Sequence, residues 1–401
     1  MGRNAAIALA VTMAAGLALW RGGASIRAWR LRGEVERAYA AGDWPGAERA
    51  VSQLLAFDPS DAELIRLRVE LATRRGDARG AAEALAGVPD ASPEAASARL
   101  QQGLFLKELF LVREAEAAFR AAVRLRPQVP EPRRELANLM GIERRADEQR
   151  AELWGLHDRA GRRVEALRLL AQSVVVIPPG ALAKSSDEGD VLRRCLEADP
   201  GDPHLRPPLA RFHRRRGEVD AARRILDPWL TEHPDDVPAR LEWLACLVDD
   251  GDVAAGGPWF ETLRPEWAGL ADYRRLRAEW LILQSRHAEA LEELTRAEAL
   301  NPLELDLPYA RAQCARVLGK AAVADEALAR HARLTELARS AAAVDEEGRD
   351  PAPLVSVGRV CESLGRTREA RAWYEQALRL APGHAEARER LSQLPRPEPR
   401  P

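Results

Sequence analysis

The feature that most constrains the fold is a turn signal that recurs every 34 residues. Nine turn positions are recognisable, and five of the eight intervals between them equal 34, while the other three equal 51, 56 and 46. A period of this length is typical of repeat architectures, in which each repeat is one supersecondary unit. The nine turn positions are Gly42, Gly76, Phe110, Gly161, Gly217, Gly251, Ser285, Gly319 and Gly365.

Two further positions keep the same register. A small residue stands five positions after every turn, as Ala47 and Ala370 do, and lets two helices approach closely. A proline stands seventeen positions after seven of the nine turns, as Pro59 and Pro382 do. With 27 prolines in 401 residues, chance would place about 0.6 proline at these positions. Because proline lacks an N–H and restricts the residue before it, it ends the second helix of each unit.

Composition agrees with a helical repeat. Hydrophobic residues make up 46% of the chain and aromatic residues only 5%, so the apolar content is mostly alanine, leucine and valine. Alanine and leucine are strong helix formers, which makes β-rich architectures improbable. The 60 basic residues nearly cancel the 62 acidic ones, leaving a net charge of -2. No overall field therefore favours nucleic acid or anionic lipid.

In this register the sequence resembles the tetratricopeptide repeats. The last unit, residues 354–387, reads LVSVGRVCESLGRTREARAWYEQALRLAPGHAEA, and the unit with Gly103, Phe119 and Pro127 is similar. The resemblance covers roughly residues 26–394. It implies an all-α, right-handed superhelical solenoid of about nine helix-turn-helix repeats, since a two-helix unit buries its apolar stripe only by stacking on neighbours. The family's key positions in the last unit are occupied by Leu354, Gly358, Gly365, Ala370, Tyr374, Ala377 and Pro382.

The three longer intervals predict insertions. An added helix is expected within Glu131–Glu148, a flexible loop over Pro178–Asp190 before a helix from Val191 to Ala198, and a second loop over Ala343–Pro353. The predicted organisation is an N-terminal segment (1–25), repeats one to three (26–127), an extra helix with repeat four (128–178), a loop with an inserted helix (179–200), repeats five to eight (201–336), a loop with repeat nine (337–383), and a capping helix with a disordered proline-rich tail (384–401).

The N-terminal segment contains an uncharged stretch, Ala5–Trp20, bounded by Arg3 and Arg21. As a helix it would span roughly 24 Å, and the flanking arginines can reach the membrane interfaces. We therefore expect a single-pass anchor in a bacterial inner membrane. A cleaved signal peptide and a buried apolar helix remain alternatives. Further arginines after residue 20 favour a cytoplasmic solenoid, although long domains translocate largely regardless of charge.

No catalytic or metal-binding signature is present. The sequence has no P-loop, G-x-S-x-G, HExxH, EF-hand or C-x-x-C-H pattern. Its seven histidines are scattered over different units. The four cysteines, three of which fall at equivalent places in the first helix of a unit, are expected to be small core residues. The loop Pro178–Asp190 offers only Ser185, Ser186, Asp187 and Glu188. A protein without cofactor, metal or enzymatic activity is predicted.

The resemblance implies a binding surface. In tetratricopeptide solenoids the first helix of each repeat lines the concave wall, and this register places eight arginines there. The densest stretch, Ala210–Arg224, has Glu218 and Asp220 as its only acids. Arginines bind carboxylates bidentately, so an acidic protein or peptide partner is expected, although a solvated arginine-rich face is the simpler alternative. The eight are Arg66, Arg74, Arg211, Arg214, Arg215, Arg275, Arg316 and Arg359.

The sequence thus predicts a non-enzymatic, membrane-anchored scaffold or adaptor that mediates protein–protein interaction through its concave surface. The alternative is an RNA-binding helical-repeat protein, because related two-helix repeats bind single-stranded RNA. The near-neutral charge of the chain disfavours nucleic acid. The two-carboxylate clamp of the family's chaperone-binding members is not met, since the corresponding places include Arg32, Glu36, Leu67, Ser97 and Gln101.

Overall fold

The computed structural model describes residues 27–161, 163–172, 188–345 and 348–395. All regular secondary structure within these ranges is helical. The chain divides into two compact units, Met1–Pro127 and Gln128–Pro401. The predicted all-α helical-repeat fold is confirmed.

The first unit contains six helices within its described residues, each packed against the next through short turns. Its apolar core includes Val51 and Leu71, both of which are fully buried. The helices are α1 (27–41), α2 (Trp44–Leu55), α3 (Ala62–Arg74), α4 (Ala78–Ala86), α5 (Ala95–Glu108) and α6 (Val112–Leu125).

The second unit continues the helix-turn-helix pattern, and a single turn of 3₁₀-helix, Pro265–Trp267, interrupts it. Its helices are α7 (Pro130–Ile142), α8 (Ala146–Asp158), α9 (Arg163–Gln172), α10 (Glu188–Ala198), α11 (Arg206–Arg215), α12 (Val219–Glu232), α13 (Val237–Asp249), α14 (Val253–Phe260), α15 (Ala271–Leu283), α16 (His287–Leu300), α17 (Asp306–Val317), α18 (Ala321–Ala342), α19 (Pro351–Ser363), α20 (Thr367–Leu380) and α21 (Ala385–Gln393).

The turns between paired helices explain the sequence period. All nine predicted turn positions adopt the left-handed backbone conformation, with φ between 61° and 76°. Glycine accepts this conformation without the steric cost of a Cβ atom. In several turns the glycine precedes an aspartate that caps the second helix; the Asp77 carboxylate, for example, accepts a hydrogen bond of 2.8 Å from the Gly80 amide. The glycine turns the chain, and the aspartate begins the next helix.

A tenth turn of this kind lies at Arg144, which has a φ of 57°. Arg144 follows Phe110 by 34 residues, so α7 and α8 form a regular pair, and the additional helix is α9. The sequence analysis placed the added helix within Glu131–Glu148 instead. The difference arises because an arginine occupies the left-handed position that glycine holds in most other turns.

Three other boundaries differ from the expected ones. Helix α18 runs to Ala342, past residue 336, because that position holds Glu336 where most units have a helix-ending proline. Helix α10 begins at Glu188, three residues before the expected start. Most of the predicted loop Pro178–Asp190, residues 346–347 of the second loop and the tail from residue 396 lie outside the described residues.

Close helix pairing follows the glycine and aromatic positions of the repeat. A Cβ atom added to Gly358 of α19 would lie 2.5 Å from the Tyr374 ring of α20, and Gly103 is in the same relation to Phe119. Cys246, Cys314 and Cys361 are buried, as predicted. Trp280 and Trp373 are buried core residues, whereas tryptophans such as Trp259 are only half-buried.

The second unit also contains a contact that a linear repeat does not predict. Helix α9 packs against α18 and α20, and one apolar cluster includes Leu167 of α9, Leu334 of α18 and Tyr374 of α20. In a linear solenoid each repeat contacts only its neighbours. The beginning and the end of this unit therefore share one core. We call this contact between α8–α9 and α18–α20 the seam.

Polar contacts continue the seam beside the apolar cluster. The Arg368 guanidinium of α20 lies 3.6 Å from the centre of the Trp154 ring of α8, and it forms an ion pair of 3.1 Å with Asp158. Arg150 of α8 pairs with Glu369 of α20 at 2.9 Å. Because charged and apolar groups from the same helices meet there, the seam is a specific packed interface.

The predicted single-pass membrane localisation is wrong. Across the helices that the structure describes, none combines the length and the apolar character needed to cross a bilayer. The segment on which the prediction depended, residues 5–20, lies outside the described residues.

Candidate functional site

The densest group of predicted wall arginines comes together in the second unit. Helices α11, α13 and α15 are the first helices of successive pairs, and each contacts the next. From α11, Arg211 hydrogen-bonds to Glu242 of α13, and Arg214 forms an ion pair of 2.8 Å with Asp249 of the same helix. The Glu242 side chain is only 5% exposed. The arginines and the acids of neighbouring repeats therefore hold one another in place.

The charge network extends to α15. The Arg211 guanidinium lies 3.8 Å from the carboxylate of Asp272, which also approaches Arg275. Arg275 forms a closer pair of 2.7 Å with Glu279, one turn along the helix. Burial disfavours the charge on Arg211 and Arg275, but these carboxylates outweigh it and raise the pKa of both guanidinium groups. The three arginines Arg211, Arg214 and Arg275 are therefore fixed, and their charge is largely balanced.

One corner of this surface keeps an excess of positive charge. Arg144, at the α7–α8 turn, lies 3.6 Å from its ion-pair partner Glu188. Burial lowers the pKa of the Arg144 guanidinium, and the charges of Arg211 and Arg215 lower it further. Arg215 is exposed, and no carboxylate in the described part of the chain lies within ion-pair distance of it. The corner therefore presents two arginines with weak compensation.

The opposite end of the same helix series is apolar. Leu283 of α15 is 46% exposed, and Tyr309 and Val317 of α17 are 49% and 63% exposed. Leu283 and Val317 are 34 residues apart, and both continue the register of Arg215 and Asp249 at equivalent positions. Large apolar residues in one register on successive helices form a patch more typical of contact surfaces than single exposed residues do. We call the exposed face of α11, α13, α15 and α17 the wall.

The remaining predicted arginines lie apart from this group. Arg66 and Arg74 belong to α3 of the first unit, where they pair with Glu94 at 3.2 Å and Glu70 at 2.8 Å. Arg359 of α19 lies 3.5 Å from the carboxylate of Glu386. Arg316 is exposed on α17 beside Val317, and the described residues place no acid within ion-pair distance of it. Of the eight arginines, Arg211, Arg214, Arg215, Arg275 and Arg316 lie on the wall of the second unit.

The groups that could support covalent or metal chemistry are buried or dispersed. No cluster of three or more histidine, cysteine or acidic side chains suited to a metal occurs among the described residues. Burial raises the pKa of the thiols of Cys195, Cys246 and Cys361 to about 12, so they are unreactive at neutral pH. Glu188, the one described residue of the four polar residues named in the loop Pro178–Asp190, pairs with Arg144.

Residue-by-residue reasoning on arginines missed two parts of the wall. Arg144 was not assigned to a turn because the period was followed through glycines, although its spacing of 34 from Phe110 was available in the sequence. Leu283, Tyr309 and Val317 occupy wall positions in the same register, but apolar residues at those positions were not considered. The acids opposite the arginines come from different repeats, and only the structure shows their pairing.

Comparisons with known proteins identify the repeat. Models of the tetratricopeptide repeat match residues 189–245 and 351–394, which confirms such repeats in the chain. No curated protein shows significant sequence similarity to the chain.

Solved structures with a similar fold have low sequence identity. Human IFIT1, as a dimer with m7Gppp-AAAA, is 15% identical, with 86% of this chain and 88% of that chain covered and a TM-score of 0.37. Yeast Tom70 is 11% identical, with coverage of 91% and 94% and a TM-score of 0.30. A tetratricopeptide repeat protein from Parabacteroides merdae is 16% identical, with coverage of 63% and 98% and a TM-score of 0.30. These similarities carry no information about function.

Proposed function

We propose that this chain, whose residues 189–245 and 351–394 match tetratricopeptide repeats, is a non-enzymatic scaffold that binds a protein or peptide partner. The contact surface in this proposal is the wall formed by α11, α13, α15 and α17. The observation that carries it is the exposed group Leu283, Tyr309 and Val317, which continues the register of the wall's charged residues. Function is argued from this site, because the repeat fold alone does not specify one.

The composition of the wall supports a protein contact. Tyrosine and arginine are enriched among the residues that dominate binding energy at protein interfaces, and Tyr309 lies in the same register as Arg275. The ion pairs of Arg211, Arg214 and Arg275 hold their side chains in place before any partner arrives. A wall that is already ordered loses less side-chain entropy on binding.

The same ion pairs disfavour RNA as the partner. Arg211, Arg214 and Arg275 already engage carboxylates, so a phosphate would have to compete with Glu242, Asp249 and Glu279 for them. Proteins that bind nucleic acid through phosphates usually expose uncompensated basic charge. The net charge of -2 points the same way. A protein partner is therefore the better supported of the two hypotheses.

Affinity capture with wall variants tests the proposal. The full chain, a Tyr309→Ala/Val317→Asp double variant and a Glu292→Gln control are used as bait in lysate of the native organism. Glu292 lies on α16, the second helix of its pair, and its side chain is 72% exposed. We expect reproducible partners of the full chain and the control to be lost from the double variant. Equal capture by all three baits, with unchanged circular dichroism, would rule out the wall as the contact surface.

A further inference from the structure

We infer that the wall binds an extended peptide segment of mixed chemistry, with a carboxylate at Arg144 and Arg215 and apolar side chains at Leu283, Tyr309 and Val317. This inference rests on the proposed function and adds the chemistry and the length of the partner. It is independent of the seam and of the first unit.

The basic corner calls for an anion from outside the chain. Arg144 and Arg215 lie close enough for their charges to interact, and Glu188, at 3.6 Å, is the ion-pair partner of Arg144. Glu242 is engaged with Arg211 and lies 3.5 Å from Arg214, so its charge is already shared between two other arginines. A carboxylate placed between Arg144 and Arg215 would relieve the repulsion between them. Arginine suits this role because its planar guanidinium binds a carboxylate bidentately.

The middle of the wall separates the corner from the apolar end. Arg275 and Glu279 of α15 pair with each other at 2.7 Å, and Asp249 of α13 is engaged by Arg214 at 2.8 Å. This stretch offers balanced charge and attracts neither acidic nor basic side chains strongly. The two ends of the wall are therefore distinct sites for one ligand, and the order of its residues along the chain matters.

The geometry of the repeat sets the length of the segment. The corner and the apolar end are three steps apart along the successive first helices, and packed helices lie roughly 10 Å apart. The distance is therefore roughly 30 Å, which an extended chain spans with about nine residues at roughly 3.3 Å per residue. A folded partner is less suitable than a flexible segment, because contacts at both ends need an extended backbone.

Selection from a phage-displayed library of random peptides of about twelve residues tests this chemistry. The full chain is compared with Arg215→Glu, with Val317→Asp and with the Glu292→Gln control. We expect sequences selected on the full chain to carry aspartate or glutamate at one end and leucine, tyrosine or phenylalanine about eight residues away. Selection on Arg215→Glu should replace the acids with lysine or arginine and keep the apolar residues. The best acidic peptide should bind Arg215→Glu at least about tenfold more weakly.

The outcomes separate this inference from the proposed function. Identical sequences selected on the full chain and on Arg215→Glu, or apolar selections without acids, would overturn the inference while affinity capture could still support the scaffold. Absence of any enriched peptide would also overturn it, because a segment of about nine residues would then not suffice for binding. If wall variants affect neither selection nor affinity capture, the proposed function itself fails.

Discussion

Arg150 of α8 donates a hydrogen bond of 2.9 Å to the carboxylate of Glu369 on α20, although 219 positions separate them in the sequence. Arg366 donates a second bond to the same carboxylate, at 3.0 Å. Beside them, Val164 of α9 packs so closely on Gly348 that a Cβ atom at Gly348 would come within 2.8 Å of it. These contacts make the second unit a closed arrangement in which distant repeats depend on each other.

Neutralising Glu369 should weaken the seam. Glu369 is 7% exposed and faces two arginines, so Glu369→Gln leaves their charges without compensation, and we expect a loss of about 3 kcal/mol in the free energy of unfolding. Urea unfolding followed by circular dichroism measures it. Glu375→Gln, in the exposed pair with Arg379 on the same helix, should change stability by less than about 0.5 kcal/mol. Equal effects of the two substitutions would contradict a buried seam.

The seam should also depend on pH. Burial opposes the charge of Glu369, but Arg366 and Arg150 outweigh it and hold the pKa of the carboxyl group below its usual range. Such a group stabilises the fold above its unfolded pKa of about 4.3, and this contribution is lost as the pH falls through the lower, folded pKa. The stability difference between the native chain and Glu369→Gln should therefore shrink below about pH 4.3. A difference that stays constant from pH 7 to pH 3 would argue against the assigned cause.

The apolar side of the seam predicts coupling over a long sequence distance. Leu167 of α9 is fully buried, and Leu167→Ala should cost about 3 kcal/mol. Because α9 shares a core with α18 and α20, amide hydrogen exchange should accelerate in residues 351–380 as well as around the substitution. Leu380→Ala, which truncates an exposed leucine on α20, serves as the control. Faster exchange confined to residues 128–172 would show that the ends of the unit are independent.

The turn at Ser285 offers a stabilising substitution. Ser285 has a φ of 61°, and a non-glycine residue pays roughly 1–2 kcal/mol for the left-handed conformation. Ser285→Gly should raise the free energy of unfolding by about 0.5–1 kcal/mol, after the larger entropy of glycine in the unfolded chain is subtracted. The reverse change, Gly319→Ala, should destabilise by about 1 kcal/mol, since no atom crowds its Cβ and only the φ of 69° matters. Thermal unfolding of both variants would show opposite shifts, and shifts of the same sign would refute the argument.

Thiol reactivity reports on the core. At pH 8 only about one in ten thousand of the Cys195, Cys246 or Cys361 thiols would be ionised at a pKa of about 12. We expect negligible reaction with Ellman's reagent in the folded protein and reaction of all four cysteines in urea. Rapid labelling of the folded protein would mean that the first helices of these repeats are packed differently.

Local features of the fold were predictable from the sequence because each depends on a few neighbouring residues. Gly42, Gly251 and Gly319 mark turns since glycine is the residue that best adopts positive φ. Gly358 and Tyr374 mark helix pairing, because an aromatic ring fills the space that a missing side chain leaves. The turn at Arg144 escaped this reasoning because an arginine there is held by the surrounding helices, which no local signal reveals.

Long-range features were not predictable. The repeat period implies contacts between neighbouring units, so nothing in it predicts that Leu167 meets Tyr374 or that Arg150 meets Glu369. The positions of Arg211 and Arg275 on the wall followed from the register. Their pairing with Glu242 and Asp272 depends on the curvature of three successive repeats, and it changes the expected patch of free arginines into a balanced network.

The measurement that tests the central claim most directly is site-specific photocrosslinking in the native cell. A photoreactive phenylalanine derivative replaces Tyr309 on the wall, and in a second variant it replaces Glu292 on α16. If the wall is the contact surface, irradiation should join the Tyr309 variant to a defined protein partner, and the Glu292 variant should give none or far less of that product. Equal crosslinking from both positions, or products from Glu292 alone, would contradict the account.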